Sequence, residues 1–270
     1  MKLTVLVDNN TAIDQYFWGE PGASYYIEDG DKRILLDVGY SDVCVKNALK
    51  MDIDLQKLDS IAISHGHDDH TRGLQFLGDT ISLTNIALVA HPHAFYPKQN
   101  KEGLNVGSPL SEHDLRGMCQ LRLSKQPLKL SEKITFLGEI PASNSFEQRK
   151  PMGFCDCGEG LAPDSMLDDT ALVYAGEEGL FIITGCSHSG ICNIIEYATQ
   201  VCGDDRVSGV IGGFHLFEVN EQVEKTIAYF SAKKIQRLYP CHCVSFAVKA
   251  AMHAVIPIEE VAVGMAIEVR

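Results

Sequence analysis

The chain has 270 residues, 45% of them hydrophobic and 22% charged, with a formal net charge of −13. This is an ordinary globular composition, long enough to bury a substantial core, and its acidity argues against a nucleic-acid-binding module because such a surface repels a phosphate backbone. No apolar run reaches the roughly 18 residues of a membrane span, and the first segment turns acidic at Asp8 too early for a secretory leader.

The chain opens with a strand over 3–8. Ser24-Tyr25-Tyr26-Ile27-Glu28 and Arg33-Ile34-Leu35-Leu36-Asp37, separated by Asp29-Gly30-Asp31-Lys32, predict a hairpin. A helix is expected over 41–50, capped by Ser41, then a short buried strand over 58–64 and another over 85–90. Residues 92–168 are rich in Pro, Gly, Ser and charge, with Ile134-Thr135-Phe136-Leu137 as the clearest strand; the stretch reads as an insertion or lid within one domain spanning 1–270. A second hairpin is expected over 170–184, a helix over 190–200, a strand over 207–211, a helix over 220–233, a strand over 235–239, a helix over 244–254 and a closing strand at 266–269. Two sheets covered by outer helices suit this order.

Chemistry concentrates in His65-Gly66-His67-Asp68-Asp69-His70. At a strand end, residues two apart share a face, so His65 and His67 can converge on one cation. As the chain turns toward a helix, Asp69 and His70 are directed toward a second. Three histidines and two aspartates in six residues are costly to bury without a metal, and imidazole with carboxylate suits zinc, iron or manganese rather than calcium. The nine cysteines, an odd count in a chain read as leaderless, are expected to be reduced thiols in a cytoplasm.

This motif resembles the His-x-His-x-Asp-His signature of the metallo-β-lactamase superfamily, and the order of hairpin strands, Leu35-Leu36-Asp37-Val38-Gly39 and apolar strand ahead of it is similar too. The resemblance implies an α+β fold, a four-layer αββα sandwich with a metal pair at one edge of its sheets. Val7-Asp8-Asn9-Asn10-Thr11, Thr184-Gly185-Cys186-Ser187-His188-Ser189-Gly190, Gly212-Gly213-Phe214-His215-Leu216 and Pro240-Cys241-His242-Cys243 look like the branch containing the archaeal dihydropterin ribofuranosyl-aminobenzene phosphate synthase. Thr71-Arg72-Gly73 continues the pattern, with Leu74 where a second glycine is common.

The resemblance implies the metal ligands His65, His67, Asp69, His70, His188 and His242. Cys186 stands where the superfamily often has a bridging Asp, so either it supplies a thiolate, or His188 fills the place, or hydroxide does the bridging. Cys241 and Cys243 flank His242 and are expected to point elsewhere if that turn is extended. Asp69 and His215 are the catalytic candidates, Asp69 to orient a nucleophile and His215 to ligate metal, protonate a leaving group or contact phosphate. Asp37 reads equally as a support for the ligands or as a turn former. Asp168 and Asp169, ahead of a strand, read first as a turn and second as residues approaching the metals, His91 and His93 as part of the lid, and Asn9 and Asn10 as turn residues or substrate contacts. Cys155-Asp156-Cys157 has too few thiols to complete a zinc site.

The expected activity is that of a metal-dependent hydrolase, or a transferase displacing phosphate, on a small phosphorylated substrate. Two divalent ions are expected, zinc first, then manganese, iron or magnesium. A mono-iron oxygen or sulfur enzyme and a non-catalytic metal sensor are the competing readings; His67, in a place where di-iron relatives carry Glu, argues against the di-iron branch. No nucleic-acid or membrane partner is expected, and nothing in the sequence speaks to oligomeric state.

Overall fold

The computed structural model describes residues 1–158 and 160–270. A seven-stranded sheet runs in the order Ala266–Glu268, Lys2–Val7, Ser24–Asp29, Lys32–Leu36, Ser60–Ala62, Ala87–Ala90 and Gln120–Leu123. A six-stranded sheet runs Arg237–Pro240, Val207–Gly212, Gly179–Thr184, Ala171–Gly176, Ile134–Phe136 and Leu128–Lys129. Hairpin pairing is antiparallel, while Lys32–Leu36 through Gln120–Leu123, and Gly179–Thr184 through Arg237–Pro240, run parallel.

Strand periodicity explains the layering. Leu3 and Val5, Tyr25 and Ile27, and Ile34 and Leu36 enter a core that also takes Phe181, Ile183 and Ile211 from the other sheet. The intervening Leu6, Tyr26 and Leu35 face the opposite way, with Ala48, Leu74 and Leu77 of the helices Val43–Lys50 and Gly73–Thr80. On the far side, Leu180, Ile182 and Val210 pack against Ile194, Ile195 and Phe230 of the helices Ile191–Cys202 and Glu221–Lys233. Side chains alternate between faces of a strand, so three separate cores require four layers, helix, sheet, sheet, helix. Both faces of Gly179–Thr184 are covered, which is why Leu180-Phe181-Ile182-Ile183 reads as an unbroken apolar run.

The boundaries differ from the sequence reading mainly by trimming. The strand expected over 58–64 is Ser60–Ala62, the helix expected from 41 begins at Val43, and the strand expected over 235–239 is Arg237–Pro240. The stretch 92–168 divides. Gln120–Leu123, Leu128–Lys129 and Ile134–Phe136 extend the two sheets, whereas Lys98–Gln99, Phe154–Asp156 and Leu161–Pro163 form a separate three-stranded sheet. The helix Glu112–Met118 within it has a capping box, Ser111 accepting from Asp114 N–H, a signal readable in the sequence as Ser-x-x-Asp. Among the described residues no helix is long and apolar enough to cross a membrane.

Candidate metal centre

The site lies where the parallel strands end. Asp37 follows Lys32–Leu36, His65 follows Ser60–Ala62, Cys186 and His188 follow Gly179–Thr184, His215 follows Val207–Gly212, and His242 follows Arg237–Pro240. This carboxyl-terminal edge is where open α/β sheets leave a crevice for ligands. Leaving the strands takes unusual backbone: Asp37, Ser187, His215 and His242 all have positive φ, between 50° and 58°. Gly66 lets the motif pass close to its neighbour, since a Cβ there would lie 1.9 Å from the Ala94 carbonyl oxygen.

Two neighbouring triads result. His65, His67 and His188 each offer a ligand atom within 4.8 Å of the others, and so do Asp69, His70 and His242. His65 Nε2 lies 3.1 Å from His67 Nδ1, and His70 Nε2 lies 3.3 Å from His242 Nε2. Cys186 Sγ stands 3.2 Å from His70 Nε2 and groups with His65 and His70, linking the triads. The geometry thus brings together all six residues expected as ligands.

Their surroundings set their protonation. Burial lowers the His65 pKa far below its usual value, and the neighbouring His70 and His67 add to it. Burial also takes His67 down to about 4 and depresses His188 strongly. His70 goes the other way: burial opposes its charge, but Asp69 and Asp37 outweigh it and raise the pKa to about 9. Burial works against the Asp69 charge, yet His70 and His242 hold that carboxyl well below the usual range.

Asp37 acts as a support. It is fully buried, accepts from Ser64 N–H at 2.7 Å and Ser64 Oγ at 2.6 Å, and its Oδ2 lies 2.7 Å from His70 Nδ1. His242 is oriented by Asp8, which accepts its N–H at 3.0 Å, and by Asn9 Oδ1, 3.0 Å from its Nδ1. Cys241 and Cys243 require a correction. Cys241 is buried beside the Tyr25 hydroxyl at 3.2 Å, as expected, but Cys243 clusters with Cys186 and His242, because left-handed His242 breaks the extended alternation. Asp168 and Asp169 lie at a turn, as expected first, but they are also 1% and 0% exposed and bind the motif and Ser189. His91 is buried against Glu139, with Nε2 3.2 Å from Oε2.

The donor set fits metal. Both ring nitrogens of His188 are sealed from solvent and have no hydrogen-bond partner, although buried polar atoms are almost always paired. An ion between His65, His67 and His188 would take one of them as a ligand. His188 and His215, whose rings are 4.4 Å apart, line a cavity of about 230 Å³ with Lys150 and Gln222. His242 lines another of about 630 Å³ with Asn9, Phe246 and Lys249.

Comparison with known proteins agrees with this geometry. Residues 18–130 match the profile of the Metallo-beta-lactamase superfamily, a span that holds the histidine motif. The chain is 31% identical to the uncharacterized protein MJ0448 of Methanocaldococcus jannaschii over 90% of its own length and 91% of that protein's. This chain belongs to the metallo-β-lactamase superfamily. It is also 30% identical to the 7,8-dihydropterin-6-methyl-4-(beta-D-ribofuranosyl)-aminobenzene-5'-phosphate synthase of the same organism, over 91% of this chain and 88% of the synthase. Among solved structures, Tm1679, described as a metal-dependent hydrolase of the β-lactamase superfamily, superposes with a TM-score of 0.85 at 27% identity, covering 99% of this chain and 98% of that one. The α+β sandwich is therefore the superfamily's fold; the superfamily typically binds divalent metals, and the candidate site here is a cluster of His, Asp and Cys side chains.

Proposed function

We propose that this member of the superfamily is a two-ion enzyme acting on a small phosphorylated substrate, as a hydrolase or as a transferase that displaces phosphate. The observation that carries this reading is the pair of solvent-sealed, partnerless ring nitrogens of His188, grouped with His65 and His67 beside a second triad that holds a carboxylate. His65, His67 and His188 would hold one ion, and Asp69, His70 and His242 the other. Zinc suits these donors first; manganese, iron and magnesium are the competitors. A divalent pair supplies Lewis acidity and acidifies water near neutral pH.

The chain's own groups supply the rest. Asp69 Oδ2, 3.3 Å from His242 Nε2 and 3.6 Å from His70 Nε2, is placed to orient a nucleophile while ligating. Burial, with His242 nearby, lowers the His215 pKa, so its ring is neutral at neutral pH and suits a hydrogen bond to substrate, or taking a proton from the nucleophile and passing it to a leaving group. Lys150 and Lys249 stand in the two cavities as cations for phosphate oxygens. The transferase variant is favoured by the likeness to the synthase along most of both chains, the hydrolase variant by the likeness to Tm1679.

Elemental analysis of protein purified without chelator tests the reading. The expected result is about two equivalents of divalent metal, largely lost in H67A, with turnover of a phosphoester panel lost alongside. Absence of bound metal and of uptake on reconstitution would overturn it. Phosphate release without an added acceptor would identify the hydrolase, and release only with an acceptor the transferase.

A further inference from the structure

Asp168 and Asp169 lie just ahead of the strand Ala171–Gly176, and each holds a different segment of the first triad. Asp168 Oδ2 accepts the Gly66 N–H at 2.7 Å, between His65 and His67. Thr170 N–H donates to the Ser64 carbonyl at 2.9 Å, so the same segment grips both sides of His65. Asp169 Oδ2 accepts the Ser189 N–H at 2.9 Å and the Ser189 hydroxyl, next to His188. One buried dipeptide therefore joins two chain segments that are remote in sequence and that carry all three histidines.

Asp168 is joined in turn to the three-stranded cover. Lys98, 1% exposed, places Nζ 2.6 Å from Asp164 Oδ2 and 3.1 Å from Asp168 Oδ1. It belongs to the strand Lys98–Gln99, which pairs with Phe154–Asp156. The loop that follows Lys98–Gln99 also touches the motif, through the Asp68 N–H donated to the Val106 carbonyl at 2.9 Å. A buried carboxylate without a cation is expensive, and a charge-assisted bond to a backbone N–H is short and stiff. Lys98 thus lets Asp168 remain an ionised acceptor in a dry place.

We propose that Asp168 and Asp169 are positioning residues for the first triad, and that Lys98 couples their hold to the docking of the three-stranded cover. This rests on the triad being a metal site. The device sets the separation of the His65–His67 arm from the His188 arm before an ion arrives, and loosening the cover loosens the grip.

Cobalt(II) is the probe, read by competition affinity and by its visible d–d spectrum, with hydrogen exchange at the Gly66 amide as a metal-free readout. D168A should lose about 10–100-fold in cobalt affinity, change the spectrum and exchange Gly66 faster. D168N keeps an oxygen for the Gly66 N–H and should recover most of the affinity and the wild-type spectrum. K98M should accelerate Gly66 exchange and weaken cobalt several-fold. Wild-type affinity and spectrum in D168A, or no recovery in D168N, would overturn the proposal. If D168A does not fold, D168E decides: it keeps the charge but is one methylene longer, so a changed spectrum in D168E with a wild-type spectrum in D168N supports the positioning role, and identical spectra overturn it. Failure of the wild-type protein to bind cobalt would remove the metal reading itself; binding with indifferent variants would remove only the positioning role.

Discussion

The two triads are built from similar side chains on opposite electrostatic plans. His65, His67 and His188 are three imidazoles with no carboxylate among them, the first buried and the others partly so, each pushed toward the neutral form first by desolvation, and the ring nitrogens of His188 have no hydrogen-bond partner. His70 in the second triad sits between Asp37 and Asp69, and His242 is held by Asp8 and Asn9. The first triad leaves polar atoms that a cation would satisfy. The second is already compensated by the protein's own carboxylates, so an ion there competes with a proton on His70.

The largest test of this contrast is H70L. It removes one partner of a buried charge pair and leaves Asp37 buried, so the metal-free protein should lose about 3–5 kcal/mol in urea unfolding. D37A attacks the same pair from the other side and strips Ser64 of its acceptor. It should weaken metal at the second triad by about 10–100-fold, read by chelator competition, and at the first triad less, because Ser64 Oγ also lies 3.0 Å from His65 Nδ1. H188L should act with the opposite sign to H70L. Removing two partnerless buried nitrogens should stabilise the metal-free protein by about 1 kcal/mol, while costing the loaded protein its first ion. Destabilisation of metal-free H188L as large as that of H70L would break the comparison.

The pH dependence of metal-free stability is the mildest test. The His70 pKa rises on folding from 6.5 to about 9, so its contribution is fully present below pH 6.5 and lost as pH rises to about 9. His67 falls from 6.5 to about 4, so its contribution is present above pH 6.5 and lost as pH drops toward 4, with His65 and His188 acting in the same direction. Unfolding midpoints should therefore peak near pH 6.5. In H70L the alkaline decline should shrink and the acid decline persist, measured by thermal unfolding across buffers.

How far the sequence is readable follows from contact range. His65, His67, Asp69 and His70 are legible because a strand end and a helix start dictate where neighbouring residues point. Asp37 was open between two readings, and only the 2.7 Å approach to His70 decides for support. Cys243 was misdirected because the left-handed φ of His242 cannot be read from Cys-His-Cys. The helix Glu112–Met118 carried a legible cap, whereas the two- and three-residue strands of the cover are too short for a periodic signal.

The sequence alone determined the superfamily, the two-sheet sandwich and the residue types that gather at its edge. Alternating apolar residues and a dense His-Asp motif are local patterns, and local patterns survive without coordinates. The tertiary structure decided which histidines share a triad, that Asp168 and Asp169 bind the motif and Ser189, and that Lys98 reaches them from the cover. The contacts of Asp168 and Asp169 join residues 20 to 102 positions apart, from Ser189–Asp169 to Gly66–Asp168. They form only when both sheets have closed over their cores, since a carboxylate is desolvated and bound to a backbone N–H only where the fold has already excluded water.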